Sequence, residues 1–420
     1  MILVFSIAPL AVYIFDSERL INVIRFASLS FLIQGISTTS VSLLTRELNF
    51  KAMAINNISS YIIGYLFIGI GMAYYGFGVY SLISAMLSQV LINGILCYAV
   101  IRHSVKFIFG WQHFKPLFSY GSKISIISFF EFIMGSMDKL LIGRMLGSGM
   151  LGFYDRAFQL IYLPTYNISI SVSRVMFSSF SKLQADLKEL FRSYSSTVTL
   201  TSIIVFPICF GVIASAKEIV YVILGEGWDQ SIDVLKILSL AVPLALMNTF
   251  FSGIVCEATA NLKKKLYITI FQIVFLASGF YYFSDYGLNT FALVFLAGEC
   301  IRTLLYVFTL SGILHVNPIK IIKSYVPGVT MGLIVGGGIY LITYMANLYE
   351  FALLVTFILQ ILTGIAIMLL IVLIFPHPLI LVRIHSFIKR FENANSRKFY
   401  TRYLLMYSNH INKKMLEHKG

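Results

Sequence analysis

Residues 131–156, EFIMGSMDKLLIGRMLGSGMLGFYDR, join two apolar segments at a glycine-rich turn. Charged side chains lie within or beside both segments. They are Glu131, Asp138, Lys139, Arg144, Asp155 and Arg156. A charge at the centre of a membrane helix costs about 2.5–3.5 kcal/mol on insertion scales, so it is kept where it has a partner or lines a wet cavity. The stretch therefore predicts a membrane hairpin that forms part of the wall of a transport path.

The composition of the whole chain supports a membrane environment. The 420 residues are 58% hydrophobic and 12% charged, with a mean hydropathy of +0.85. Soluble domains carry about 25% charged residues, so a soluble globular protein is excluded. The 36 phenylalanines and 25 tyrosines fit rings at the two bilayer interfaces. We predict an all-α, polytopic bundle of membrane helices.

Apolar runs of about 20 residues mark candidate spans. Twelve such runs occur, at 1–15, 20–45, 55–75, 77–101, 121–146, 149–176, 196–216, 232–256, 264–283, 287–314, 322–345 and 350–375. Of the 32 lysines and arginines, 24 fall in alternate connections and in the tail, and two in the opposite connections. Positive charge collects on the cytoplasmic side of membrane proteins, so both termini are predicted to be cytoplasmic.

The short basic connections also argue against a nucleic-acid partner. The net charge is +14, but no soluble region is large enough to hold a nucleic-acid module. One inner connection, FSKLQADLKELF at 180–191, has an apolar helical stripe and predicts a helix lying in the membrane interface. The tail after Pro376 alternates apolar and basic residues, which fits either a surface helix on anionic lipid or a solvated tail.

The charges inside the spans are the candidate site. Glu131 and Asp138 are seven residues apart and share a helical face, and Glu299 and Arg302 are spaced to pair within one helix. Basic side chains suit an anionic group such as a pyrophosphate, for which arginine offers a bidentate fork. The candidate substrate-binding cations are Arg25, Lys139, Arg144, Arg156 and Arg302. The candidate residues for ion coupling or charge pairing are Glu131, Asp138, Asp155 and Glu299. The alternative is that the charges pair and lock helices together.

Motifs of catalysis are absent from the sequence. It contains no GxxxxGK[ST] phosphate loop, no GxSxG elbow and no HExxH zinc motif. The four cysteines stand singly in apolar spans, where buried small hydrophobic residues are expected. We therefore expect no catalytic residue, no metal and no cofactor.

An ordered series of segments resembles a known family. The string DKLLIGRMLGSGMLGFYDRAFQLIYLP at 138–164 and the string SRVMFSSFSKLQADLKELFRSY at 173–194 resemble polysaccharide exporters and lipid-linked oligosaccharide flippases of the MOP superfamily. Further matches are SLLTRELNFKAMA, the GFGVYSL turn and LGEGWDQSIDVLKILSL, so the resemblance runs from Met1 to about Leu314. The branch most similar in pattern is that of colanic-acid and lipopolysaccharide exporters.

The resemblance implies two helical lobes around a central cationic cavity and transport by alternating access. Its substrate would be an undecaprenyl-pyrophosphate-linked saccharide, moved from the inner to the outer leaflet of the bacterial plasma membrane, with membrane lipid and polysaccharide polymerase machinery as further partners. The implied organisation is an incomplete N-terminal lobe of four spans at 1–102, a cytoplasmic connector at 103–120, a C-terminal lobe at 121–314, two extra spans at 315–375 and a basic tail at 376–420. The family pattern has six spans in its first lobe, so two are expected to be missing here.

Two other functions fit the same composition. A multidrug or cation antiporter of the same superfamily is disfavoured by the cations inside the spans, which would repel a cationic drug. A membrane-embedded polysaccharide polymerase or acyltransferase is disfavoured because no large outer loop is available for chemistry.

Overall fold

The computed structural model describes residues 1–9, 19–47, 49–104 and 111–374. Within these residues every regular element is a helix. We number the helices α1 (Ile2–Ile7), α2 (Arg19–Ala27), α3 (Leu29–Arg46), α4 (Phe50–Tyr74), α5 (Val79–Ile101), α6 (Trp111–Met145), α7 (Ser148–Lys182), α8 (Leu187–Ala214), α9 (Ala216–Ile223), α10 (Gln230–Ala258), α11 (Leu262–Tyr282), α12 (Leu288–Leu314), α13 (Pro318–Lys323), α14 (Val326–Leu348) and α15 (Leu353–Ile374). Short π-helical segments interrupt α4 at Ile62–Gly69 and α10 at Asn248–Ser252.

The helices confirm a multi-pass membrane protein. Nine helical stretches among the described residues are long and apolar enough to cross a bilayer. The hairpin helices α6 and α7, each 35 residues long, are not among the nine. The predicted first span at 1–15 lies partly outside the described residues, and the predicted tail at 376–420 lies wholly outside them.

Contacts divide the chain into two compact units, 1–119 and 120–420. In the first unit, α5 packs against α3 and α4 through close approaches at small residues. A methyl group added at Gly64 would lie 2.8 Å from the Ala85 carbonyl oxygen, and one at Gly94 would lie 2.1 Å from the Ser37 hydroxyl. Such small residues allow backbones to approach closely in a membrane, where packing and hydrogen bonds drive association.

In the second unit a contiguous hydrophobic core runs through α7, α8, α10 and α12. Fully buried aromatic residues of this core come from several helices and include Tyr154, Tyr194, Phe251 and Phe291. The core holds the backbone of α6 and α7 in place, so the charged side chains of the hairpin project from a packed scaffold.

The predicted interface helix at 180–191 is wrong. Helix α7 ends at Lys182 and α8 begins at Leu187, because Asp186 caps the new helix by accepting hydrogen bonds from the amides of Lys188 and Glu189, both at 3.1 Å. Phe180 and Leu190 are fully buried in the core of the second unit. The apolar stripe of this segment therefore packs against protein.

Candidate functional site

The second unit contains a cavity of about 500 Å³ between α6, α7, α10 and α12. Both apolar rings and charged groups line this space, which lies wholly within the unit. The charged residues in its wall are Glu131, Asp138, Lys139, Glu299 and Arg302. Ionisable side chains inside membrane segments characteristically face the interior of a helical bundle or a wet cavity. Five of them line this cavity.

One ion pair joins the two helices of the hairpin close to their connecting turn. The Lys139 ammonium lies 2.6 Å from a carboxylate oxygen of Asp155 and 4.8 Å from the centre of the Phe158 ring. The second Asp155 oxygen accepts from the Gln159 amide at 2.6 Å. About a third of each charged side chain stays exposed, so an entering anion has access to the Lys139 ammonium.

The neighbouring carboxylate, Asp138, is held differently. It is 2% exposed and accepts hydrogen bonds from the Tyr154 hydroxyl at 2.9 Å and from the Lys139 amide at 2.8 Å. Among the described residues no basic side chain lies within ion-pair distance of it. Asp138 is thus a buried acid whose neighbours are a phenol and a backbone amide, and a buried carboxylate of this kind is expensive in its charged form.

A second ion pair lies at the middle of α12. Glu299 and Arg302 form the predicted contact at 2.9 Å, and both are about 97% buried. Arg302 also donates to the Ala245 carbonyl at 2.9 Å and to the Thr249 hydroxyl at 3.3 Å. The π-helical segment of α10 starts at Asn248, whose amide donates to the Glu299 carboxylate at 3.2 Å.

This π-helical segment explains how a charged pair is accommodated in the membrane. A π turn breaks the regular i→i−4 ladder, and such segments are frequent at functional sites. Here the π-helical segment lies beside the Ala245 carbonyl, which accepts from Arg302, and includes the Asn248 amide, which donates to Glu299. Three buried atoms around it, Asn248 Oδ1, Gln272 Oε1 and Arg302 Nε, have no hydrogen-bond partner among the described residues. Of these three residues, Arg302 lines the cavity.

A third charged cluster was missed by the sequence analysis. Lys265, at the start of α11, is 3% exposed, and its ammonium lies 2.6 Å from Glu131 and 2.5 Å from Glu257. The sequence places Lys265 in a run of three lysines, which was assigned to a basic cytoplasmic connection. The first two lysines of the run fit that role, whereas the third is turned into the protein. Position on the helix decides the difference, because Lys265 is followed at i+3 and i+7 by the buried residues Ile268 and Gln272.

The structure brings together only some of the predicted cations. Lys139 and Arg302 line the cavity, whereas Arg144 and Arg156 are exposed near the hairpin turn and do not line it. Arg25 belongs to the first unit, where its guanidinium lies 4.9 Å from the centre of the Phe5 ring. The wall therefore carries three carboxylates beside two cations, and each of these cations already has a carboxylate partner.

A second cavity, of about 560 Å³, lies between α8, α9, α14 and α15. Among the described residues no charged side chain lines it, and its polar lining residues include Gln360 and Ser215. The mixed cavity beside the hairpin is therefore the candidate site for a substrate with a charged or sugar-bearing head.

Comparison with known proteins defines the family. Residues 1–233 match the family model described as polysaccharide biosynthesis protein. The chain belongs to this family. The resemblance that the ordered motifs indicated is therefore confirmed. The match includes the whole hairpin, with Asp138, Lys139 and Asp155.

Curated relatives are similar over part of their length. Teichuronic acid biosynthesis protein TuaB of Bacillus subtilis is 25% identical over 267 residues, covering 62% of this chain and 54% of that protein. Succinoglycan biosynthesis transport protein ExoT of Rhizobium meliloti is 28% identical over 220 residues, covering 52% and 44%. Lipopolysaccharide biosynthesis protein WzxC of Escherichia coli is 21% identical over 266 residues, covering 62% and 54%. The chain spans about half the length of these relatives.

A solved structure shares the fold. Lipid II flippase MurJ, in an inward closed conformation, superimposes with a TM-score of 0.65 at 19% identity, over 89% of this chain and 79% of that one. This likeness confirms the all-α membrane-bundle fold of the chain.

Proposed function

We propose that this protein moves a lipid-linked oligosaccharide or polysaccharide repeat unit from the inner to the outer leaflet of a bacterial plasma membrane, for the synthesis of cell-surface polysaccharide. The observation that carries the proposal is the charged cavity inside the second unit, in a chain that is otherwise apolar. A lipid-linked saccharide needs such a polar enclosure for its head while its chain stays in the bilayer. The relatives include a succinoglycan biosynthesis transport protein and a lipid II flippase, which agrees with transport rather than catalysis.

In this proposal the ion pairs exchange partners with the substrate. Lys139 is the cation best placed to meet a pyrophosphate, because its ammonium is partly exposed and bound on one side by Asp155. Arg302 is more buried than Lys139, and its additional contacts to Ala245 and Thr249 hold it in place. Arg144 and Arg156, exposed near the hairpin turn, would meet the substrate at the entrance or exit. Alternating access then requires these contacts to form and break in turn.

Among the carboxylates, Asp138 is our candidate for ion coupling. It is buried and has no basic partner in the described part of the chain, whereas Glu131, Asp155 and Glu299 are each paired with a cation. A proton on Asp138 would remove the cost of a buried charge. The proposal also puts the connections and the tail that are rich in lysine and arginine on the cytoplasmic side.

The test uses the organism that encodes the protein. Disrupting the gene should reduce surface polysaccharide and cause a lipid-linked saccharide to accumulate in membrane extracts, and the wild-type gene should restore both. Replacing Lys139, Arg144 and Arg156 together by glutamine should fail to restore them although the protein still inserts. Normal polysaccharide from a strain with the triple variant would contradict a role for these cations, and normal polysaccharide from the disrupted strain would contradict the proposed function.

A cation antiporter remains the second candidate, because a specific observation favours it. The carboxylates in the cavity wall outnumber the cations, and the two cations are neutralised by pairing. Paired cations repel a cationic drug much less than free ones do. Expression in a strain sensitive to ethidium separates the two functions: an antiporter raises resistance and lowers ethidium accumulation, whereas a saccharide flippase leaves both unchanged.

A further inference from the structure

Another cavity of the second unit lies at the end of the bundle where α8 finishes and α10 begins. Its volume is about 580 Å³, and its walls come from α8, α9, α10 and α14. We refer to this space as the rim cavity. Charged and apolar side chains line it together, and they include Lys217, Glu218, Lys236, Phe210, Ile213 and Leu333.

Glu218 is a buried carboxylate that the protein leaves without a partner. The residue is 5% exposed and lies near the start of α9. Neither an ion pair nor a hydrogen bond joins its carboxylate to any residue that the structure describes. Burial of an unpaired charge is costly, and buried polar side chains nearly always have a partner. Because Glu218 lines the rim cavity, we expect its partner to be a group that enters this space.

The neighbouring residue, Lys217, is a cation with no carboxylate partner in the described part of the chain. Its side chain is exposed, and it forms no ion pair with Glu218 although both residues line the same cavity. Lys236 differs, because it pairs with Asp233 of its own helix at 2.9 Å. An acid and a base that stay separate in one cavity can be bridged by a ligand that carries both charges.

The place of Lys217 in the chain points to the lipid interface. In the topology proposed above, basic residues collect in the cytoplasmic connections, and Lys217 is one of two in the connections on the other side. It follows α8, which ends at Ala214, by three residues and therefore lies at the level of the lipid headgroups. A lysine ammonium at this level can bind a lipid phosphate as a point charge.

The α14 wall of the rim cavity changes from apolar to polar along the helix. Leu333, Gly337 and Tyr340 follow one another at i, i+4 and i+7 and so share one face, which continues to Thr343 and Asn347 at the end beside Lys217. A carbon added at Gly337 would meet no atom within 4 Å, so the groove is open there. A charged rim that continues into an open apolar groove suits a molecule with a charged head and a hydrocarbon chain.

We propose that the rim cavity binds phosphatidylethanolamine of the surrounding bilayer, with the lipid phosphate at Lys217, the ammonium at Glu218 and an acyl chain along Leu333 and Gly337. The head of this lipid carries a phosphate and an ammonium joined by two carbons, so it supplies both missing partners at once. Its ammonium has three N–H donors for a carboxylate. The choline head has no N–H donor and the glycerol head has no cation, so neither satisfies Glu218 as well. No residue of the rim cavity lines the charged cavity beside the hairpin.

The test is native mass spectrometry of the full protein in detergent micelles. Dioleoyl phosphatidylethanolamine, phosphatidylglycerol and phosphatidylcholine are added in turn, and the lipid retained by the protein is measured. Glu218→Gln removes the buried charge with little change of shape, and Lys217→Gln removes the cation from an exposed position. Glu226→Gln and Lys236→Gln are the matched controls, because Glu226 is exposed outside the cavity and Lys236 already has a partner.

The wild-type protein should retain phosphatidylethanolamine more strongly than the other two lipids. Glu218→Gln should weaken retention of phosphatidylethanolamine by about two- to fivefold, as for one partly wet charged contact, and should not weaken that of phosphatidylglycerol. Lys217→Gln should weaken retention of all three lipids, since each carries a phosphate. The two control variants should match the wild-type protein.

Four other results would each overturn the proposal. Equal retention of the three lipids by the wild-type protein would show that the cavity does not select a head. A preference for phosphatidylglycerol that Glu218→Gln leaves unchanged would mean that Lys217 attracts anionic lipid and Glu218 takes no part. Unchanged lipid retention with a higher unfolding temperature in Glu218→Gln would make Glu218 an unliganded buried acid. Equal losses in the variants and the controls would place the lipid elsewhere. None of these results depends on transport, so the proposed function is tested separately.

Discussion

Two regions of the second unit pack their helices in opposite ways, one around an open charged cavity and the other through close backbone contact. Around the cavity, charged side chains join α6 to α7, α11 to both α6 and α10, and α12 to α10, and about 500 Å³ stays unfilled. Between α8 and α14 the helices approach so closely that backbone meets backbone. A methyl group added at Gly328 would lie 2.5 Å from the Ser202 backbone, and one at Gly332 would lie 3.1 Å from the Phe206 carbonyl.

Hydroxyl contacts between α8 and Ser324, in the turn before α14, also differ from the charges of the cavity. The Ser195 hydroxyl pairs with that of Ser324 at 2.7 Å, and Thr199 donates to the Ser324 carbonyl at 3.0 Å. Small polar contacts of this kind hold membrane helices together at modest energy, about 0.6 kcal/mol on average. Ion pairs in a low-dielectric interior are costly to build and costly to break singly.

We therefore expect one region to stay fixed during transport and the other to change. A glycine contact has one tight arrangement, so α8 and α14 behave as a fixed frame. Charged groups around an open space can exchange partners when an ion or a charged substrate enters. The α6–α7 hairpin with α10–α12 is therefore the region expected to change during transport, and mutations should affect the two regions differently.

The largest expected effect comes from Lys265→Met. The variant leaves Glu131 and Glu257 facing each other without their shared cation. Lys265 is buried but the two carboxylates are about one-third exposed, so we expect a cost of about 3 kcal/mol, at the lower end of the range for breaking a buried pair. Thermal unfolding of the purified protein should shift down strongly. Adding Glu131→Gln and Glu257→Gln to the variant removes the unpaired charges, so stability should largely return. A triple variant as unstable as the single one would show that packing, not charge, makes Lys265 necessary.

A smaller loss is expected from Gly332→Val in the fixed frame. The added atoms would overlap Phe210 and Phe206 of α8, and overpacking of this kind costs about 1–3 kcal/mol. Gly337→Val is the matched control, because its added carbon meets no atom within 4 Å. Helix propensity changes equally in the two variants, so a stability loss confined to Gly332→Val isolates the interhelical contact. Equal losses would mean that α8 and α14 are not held by this close approach.

The smallest effect on stability is expected from Lys139→Gln. Lys139 and Asp155 are about one-third exposed, and pairs of that kind contribute at most about 1 kcal/mol. Surface polysaccharide should nevertheless fall in the complemented strain, because the proposal gives Lys139 a role in binding the substrate. Lys236→Gln, which removes an exposed pair with Asp233, is the control and should change neither quantity. Full polysaccharide output from Lys139→Gln would restrict the pair to a structural role.

Much of the fold and part of the site were predictable from local pattern. Long apolar runs and the spacing of Glu299 and Arg302 depend only on neighbours along one helix, so the sequence indicated both the helical membrane fold and this ion pair. Cys97, Cys209 and Cys256 are buried as expected, while the prediction was wrong for Cys300, which is exposed.

Contacts between helices were not predictable in the same way. Lys265 looked like an ordinary basic loop residue until its helix placed it between Glu131 and Glu257. Nothing in the sequence indicated that the Tyr154 hydroxyl donates to Asp138. The prediction of one interface helix at 180–191 overlooked Asp186, whose cap starts a new helix and turns both apolar ends into the core.

The sequence by itself determined that this chain is a helical membrane protein with charges concentrated at the hairpin of residues 131–156, because the free energy of placing each residue in a bilayer depends mainly on local composition. Only the tertiary structure decided which charges meet, which one stays without a cation, and that the cations of the cavity are balanced by carboxylates. The physical reason is that an ion pair depends on a distance of a few ångströms between separate helices. That distance is set by the packing of the whole unit.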